Sequence, residues 1–174
     1  MQIIDDLLRE LAETILISLG SPQNAVLGTP GAHEITIQAS DQPTCDIDDS
    51  NPLMFDSDGF GLSWTLRNLG TDTLVLSQLT ISWPTGAPNA PKFAQVYANS
   101  QLIYNGNHPQ SPHTVTSWQG FESYRYLSSM GTTLDLRFTR TLSPGSYVLS
   151  LVYRNITRNP NYDCTTVTNS IVHP

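Results

Sequence analysis

Beyond Phe60, apolar and polar residues alternate with a period of two, the pattern of half-buried β-strands. Phe60, Leu62, Trp64 and Leu66 share one phase, and Asn68-Leu69-Gly70 follows as a turn. Leu74 and Leu76 share a phase that Leu79, Ile81 and Trp83 do not, which predicts a bulge near Ser77-Gln78 before Pro84 ends the strand. Phe93–Tyr97 and Gln101–Tyr104 flank Asn99-Ser100 and predict a hairpin. Thr114–Trp118, Ser123–Leu127, Thr132–Thr139 and Ser146–Tyr153 predict further strands, and Thr165–Val172 another beyond them. Gly- and Pro-rich loops at Thr85–Pro91 and Asn105–Pro112 punctuate the series. Many short strands at regular spacing predict a mainly β fold, an antiparallel β-sandwich of the jelly-roll or immunoglobulin-like kind.

The first residues follow another period. Ile4, Leu7, Leu8, Leu11 and Ile15 recur at helical spacing, and Asp5 and Asp6 fall in the first turn, so the pattern predicts an amphipathic helix over 3–17. Gly20-Ser21-Pro22 ends it, and residues 20–32 read as a linker. From His33 to Ala39 the alternation returns, with Ile35 and Ile37 in phase, predicting a short strand. About four helical turns are marginal alone in water, and a lone strand needs a sheet. Both elements must therefore join their own domain or a neighbouring copy. This divides the chain into an arm (1–44), a β-domain (45–164) and a C-terminal strand or tail (165–174).

Cys45 and Cys164 bound that β-domain and have no C-x-x-C neighbour or nearby His to suggest a metal site. A disulfide between them is the expected arrangement, two unrelated buried thiols the alternative. Such a bond is at home in an exported protein. No basic n-region or long apolar run opens the sequence, so if the protein is exported, a leader is expected to have been removed or another route used. The longest apolar run near the start is Ile15-Leu16-Ile17, too short to span a bilayer. Asn155-Ile156-Thr157 is a candidate N-glycosylation acceptor.

Composition changes the picture mainly through charge. Only 13% of the 174 residues are charged, and the net charge is −7. Residues 1–58 hold −10 of it and the rest +3. No basic footprint for nucleic acid exists, whereas an acidic front on a mildly basic body favours head-to-tail association.

The order Cys45, Trp64-x-Leu66-x-Asn68-x-Gly70, Ile81-x-Trp83-Pro84, Leu102-Ile-Tyr104-x-Gly106, Leu134-x-Leu136-x-Phe138, Tyr147, Cys164 resembles a Cys-bounded β-sandwich of bacterial secreted, cell-surface and pilin-like proteins. The resemblance covers about residues 45–164. It implies an extracellular structural role and brings neither chemistry nor cofactor.

The residues give little chemistry of their own. There is no Gly-x-Ser-x-Gly elbow, no His-Glu-x-x-His and no phosphate-cradling loop, so no enzymatic activity is expected. The four His (33, 108, 113 and 173) are scattered, and His108 and His113, beside Pro109 and Pro112, read as plain loop residues. Asp46, Asp48, Asp56 and Asp58 offer oxygen ligands for Ca²⁺, but Asp56-Ser-Asp58-Gly59 is only a fragment of a calcium loop. Trp118 shares the phase of Thr114 and Thr116 and is a candidate sugar-stacking platform, whereas Trp64 and Trp83 are expected in the core. The expected function is a structural subunit of an extracellular filament or surface layer. Copies would polymerise head to tail through an arm that includes Ile4, Leu7, Leu8, Leu11, Ile15, Ile35 and Ile37. The alternative is a monomeric carbohydrate-binding or adhesive module, with surface polysaccharide as its partner.

Overall fold

The computed structural model describes residues 13–18, 24, 32–37, 45–86, 88–157 and 161–174. The chain divides into two units, Met1–Thr44 and Cys45–Pro174.

In the first unit, strands β1 (Glu13–Ser18) and β2 (Ala32–Ile37) form an antiparallel pair, with Ile15 opposite Ile35, Leu16 opposite Glu34 and Ile17 opposite His33. The helix predicted over 3–17 is thus corrected across residues 13–17; Ile4, Leu7, Leu8 and Leu11 lie outside the described residues. The reason is local. Thr14, Ile15 and Ile17 are β-branched, a type that favours extended backbone, and β2 supplies the ladder that a helix would forgo. The strand predicted at 33–39 is present, shifted by a residue or two.

The second unit is built from antiparallel strands throughout. One sheet has the order β3 (Ile47–Asp48), β5 (Gly61–Asn68), β10 (Thr132–Phe138), β7 (Phe93–Ala98), β8 (Gln101–His108), and β4 (Met54–Phe55) also pairs with β5. The other has the order β12 (Tyr162–Asp163), β11 (Gly145–Asn155), β6 (Leu74–Ser82), β9 (His113–Val115), and β13 (Val167–His173) pairs with β11. Their inward residues form one core: Leu62, Trp64, Leu66, Phe93, Leu134 and Leu136 from the first sheet meet Leu76, Leu79, Ile81, Tyr147, Leu149 and Leu151 from the second. This is the layering of a sandwich. The two core tryptophans keep their N–H groups satisfied, Trp64 by Asn51 O at 2.7 Å and Trp83 by Pro91 O at 2.9 Å.

The phase change in β6 is a bulge. Val152 pairs with Gln78 and Tyr153 with Leu76, so Ser77 has no partner in the ladder, and its hydroxyl donates to Val152 O at 2.9 Å. The turn between β7 and β8 has positive φ at both central residues, 46° at Asn99 and 67° at Ser100, as a two-residue hairpin requires. The strand predicted over Ser123–Leu127 is corrected: Glu122–Arg125 is a 3-10 turn, closed by Tyr124 N–H on Phe121 O, and only Tyr126 forms a bridge, with Val75. The predicted tail is an integral seven-residue strand of the second sheet.

Candidate functional site

Three arrangements in the described residues bear on function: the N-terminal pair, the flank of the sandwich nearest the disulfide, and the opposite flank where β8 and β9 end.

In the N-terminal pair, Leu16 is 65% exposed, Ile17 48% and Ile35 41%, while Ile15 is half-buried. Ile37 stands opposite Glu13 in register. Among the described residues each strand pairs only with the other, so each also carries an unpaired edge.

On the first flank, Cys45 and Cys164 are joined as a disulfide with Cα atoms 5.5 Å apart. The bond ties the chain entering β3 to the chain between β12 and β13, and so links the two sheets. Farther along the same flank, Asn169 Nδ2 donates to Asn51 O at 3.2 Å, and at the far end of β13 the Phe55 and His173 rings meet edge-on at 4.8 Å. Asn155, the candidate glycan acceptor, is buried at the end of β11. Its Nδ2, the atom a glycan would occupy, donates to Asp72 Oδ2 and Tyr162 Oη, both at 2.8 Å. Its Oδ1 accepts the Thr157 N–H at 3.0 Å, so the triplet acts as a turn lock.

The four aspartates separate into two unrelated settings. Asp48 Oδ1 accepts the Ser50 hydroxyl at 2.6 Å and its N–H at 3.1 Å, and these bonds hold its carboxyl below the usual range. The Asp46 backbone carbonyl takes the Leu69 N–H. Asp56-Ser-Asp58-Gly59 is the turn from β4 into β5, with the Gly59 N–H on Asp56 O at 3.0 Å and φ of 73° at Gly59. Asp58 Oδ1 accepts the Phe60 N–H at 2.9 Å, and its Oδ2 lies 2.6 Å from Arg137 Nη1. The same nitrogen is 3.3 Å from Asp56 Oδ2. A guanidinium therefore sits between the carboxylates where a cation would have to lie. The Phe60 N–H and then Arg137 hold Asp58 low, whereas burial raises Asp56 despite the same Arg. Among the described residues no three His, Cys, Asp or Glu side chains come together as a metal-holding group.

Trp118 serves an edge. Segment 113–115 pairs with β6, and Tyr126 and Leu127 rejoin it, but the excursion between them leaves β6 carbonyls facing outward. Trp118 Nε1 donates to Ser77 O at 3.1 Å and Arg125 Nη1 to Leu76 O at 2.6 Å, with the guanidinium carbon 5.4 Å from the indole centroid. The ring is half-buried and carries Arg125 over one face. The exposed aromatic nearby is Phe121, 71% exposed, edge-on to Tyr124.

The opposite flank holds a grouping that sequence reasoning missed. Tyr104 Oη lies within hydrogen-bonding reach of His108 Nε2 and 3.2 Å from His113 Nε2. The imidazoles stack with centroids 3.6 Å apart and planes 17° from parallel, and Phe93 stacks on Tyr104 at 5.6 Å. Burial lowers His113, helped by His108, and burial raises Tyr104. A signal was present: Tyr104, Gly106 and His108 share one phase of β8, and only the short turn after it separates them from His113.

Comparison of the chain with protein-family models, with curated proteins and with solved structures returns no match.

Proposed function

We propose that the protein is a structural subunit of an extracellular assembly, in which the N-terminal β-pair of one copy adds to the free edge of β13 in the next. The observation that carries this reading is the exposure of Leu16, Ile17 and Ile35 on a two-stranded sheet. A two-stranded sheet is at best marginal alone in water, and further strands stabilise it. Apart from the Ser170 N–H, which donates to Asn169 Oδ1 at 2.8 Å, the receiving edge is unguarded. Val167–His173 contains no Lys, Arg, Asp, Glu or Pro, Val172 is 70% exposed, and among the described residues β13 pairs with β11 alone. The disulfide suits an oxidising, extracellular setting. A contact between two different surfaces propagates when its rotation does not close.

Light scattering and negative-stain microscopy of the full chain test the reading. Wild type forms elongated polymers. Ile17→Lys with Ile35→Lys removes the donor, Val172→Lys charges the acceptor edge, and each leaves monomers. Mixed together, the two variants form heterodimers and nothing longer, because one working end survives in each. Wild type that stays monomeric at all concentrations overturns the reading, and retention of that monomer on a polysaccharide column would favour the sugar-binding module instead.

A further inference from the structure

The flank where β8 and β9 end joins the two sheets through titratable groups. Tyr104 and His108 stand on the edge strand of one sheet and His113 on the edge strand of the other. Both Nε2 atoms lie in hydrogen-bonding reach of Tyr104 Oη, and the imidazoles stack with centroids 3.6 Å apart. A phenol has one proton to give, so the cluster needs one Nε2 that accepts and one that donates. Two neutral imidazoles in opposite tautomers meet that need. Two imidazolium rings do not. Both Nε2 atoms then donate, the phenol hydrogen loses its partner, and like charges lie face to face.

No carboxylate offsets those charges. From β7 the cluster meets Phe93, with Lys92 one residue before it, and His113 stands opposite Ile81 of β6. Between Asp72 and Glu122 the sequence contains no Asp or Glu, so β6, β7, β8, β9 and the turn 109–112 bring none. Strand β10, which reaches Phe93 through Phe138, carries Asp135 and Arg137 in the opposite phase. The 3-10 turn pairs its own charges, Arg125 Nη2 with Glu122 Oε2 at 3.9 Å. Burial and then the charge of His108 lower His113. A His lowered on folding contributes stability that is full above the unfolded value, about 6.5, and is lost as pH falls through the folded value.

Little else holds β9. Its three residues pair with β6, and of their side chains only Val115 is buried in the core. Farther on, the Gln119 N–H donates to Ile103 O at 2.8 Å, so residues 113–119 cover parts of the outer edges of both β6 and β8. The strand also makes room for the cluster. A Cβ on Gly106 would come 2.5 Å from Tyr104 Oη and 2.6 Å from His108 Nε2.

We propose that Tyr104, His108 and His113 form a proton-operated latch between the two sheets, closed while the imidazoles are neutral and opened when both take up protons, so that β9 and the segment to Gln119 leave the edges of β6 and β8. The ladder groups of those edges then hydrogen-bond to water. The disulfide on the opposite flank keeps the sheets joined. Each proton taken up on opening multiplies the opening constant by about ten per pH unit.

Native-state hydrogen exchange of the full chain between pH 7.5 and 5, corrected for the intrinsic exchange rate, tests the latch. Wild-type protection at residues 113–119 falls below about pH 6.5, by up to about tenfold per pH unit for each proton, while Thr132–Phe138 keep theirs. His108→Gln with His113→Gln puts amides in place of the imidazoles and abolishes the dependence; His33 and His173 are retained as background. His108→Gln alone halves the slope. Tyr104→Phe removes the hydroxyl but not the stacked pair, so residues 113–119 exchange faster at pH 7.5 and keep the acid response. Near-ultraviolet circular dichroism at pH 7.5 shows the fold intact in each variant. Wild-type protection that stays flat over this range, a fall shared equally by Thr132–Phe138, or a double variant that falls as steeply as wild type overturns the proposal.

Discussion

Strand β2, with Ile35 and Ile37 in phase, and strand β10 carry the same alternation of apolar and polar residues and reach opposite outcomes. In β10, Leu134, Leu136 and Phe138 are at most 5% exposed, because a second sheet covers them. In β1–β2, Ile17 and Ile35 stay open to solvent. Period two specifies a strand and a face; whether the face is buried depends on a second layer supplied from elsewhere. The Cys45–Pro174 unit supplies its own layer and a covalent tie. The Met1–Thr44 unit, in its described strands, calls for a layer from outside.

The largest effect expected on this contrast comes from removing the tie. The disulfide spans 119 residues of sequence, and closing a loop of that size stabilises by about 4–5 kcal/mol in the chain-entropy model. Cys45→Ser with Cys164→Ser lowers the stability of residues 45–174 by up to that amount in denaturant titration. Hydrogen exchange at residues 13–18 and 32–37 is unchanged. Equal losses in both regions would mean that the N-terminal pair draws its order from the sandwich, and the contrast would fail.

A smaller effect concerns charge on the outer face of β10. Asp135 lies on β10, and burial raises its carboxyl, with Asp56 adding to the shift and Arg137 opposing it. A carboxyl raised on folding favours the fold when protonated. Its contribution is full below the unfolded value, about 4, and is lost as pH rises through the folded value. Asp135→Asn removes that loss. The variant matches wild type at pH 3 and is more stable at pH 7 by less than about 1 kcal/mol, since solvent screens a half-buried carboxylate. Urea melts across this range check the sign. Lower stability of the variant at pH 7 would show that Arg137 outweighs burial.

How much of this was legible in the sequence differs between the two units for physical reasons. Most sandwich strands, the Ser77 bulge and the Asn99-Ser100 turn are written in local periodicity and turn chemistry, which survive into the fold because the core agrees with them, whereas the strand predicted over Thr114–Trp118 stops at Val115 and the cysteine pair is read from there being two cysteines. The helix over 3–17 was misread at residues 13–17 because Ile15 fits both a helical stripe and a strand, and a pairing partner at Ala32–Ile37 decided between them. Ser123–Leu127 also alternates, but Arg125 turns inward to satisfy a carbonyl exposed by the bulge, a need no local window contains. Trp118 is bound to the same bulge for the same reason. The Tyr104, His108 and His113 grouping was hidden because His113 enters from the other sheet.

The smallest effect separates two ways of setting a register. Strands β7 and β8 are joined by two residues, both at positive φ, so turn geometry fixes the pairs next to it, Ala98 with Gln101 and Tyr97 with Leu102, before the register shifts between Tyr97 and Val96 and again between Gln95 and Phe93. Strands β1 and β2 are joined through residues 19–31, too long a connection for a turn to impose register, and the pairing of Ile15 with Ile35 must hold it instead. Ser100 at φ 67° pays for a conformation that glycine adopts freely. Ser100→Gly creates the Asn-Gly pair that this turn prefers, partly offset by the greater freedom of glycine in the unfolded chain. The expected gain is about 0.5 kcal/mol, read as a raised unfolding midpoint. Hydrogen exchange slows along Phe93–His108 and is unaltered in β1 and β2. A loss of stability would show that cross-strand packing, rather than the turn, sets the β7–β8 register, and the two hairpins would then differ only in what covers them.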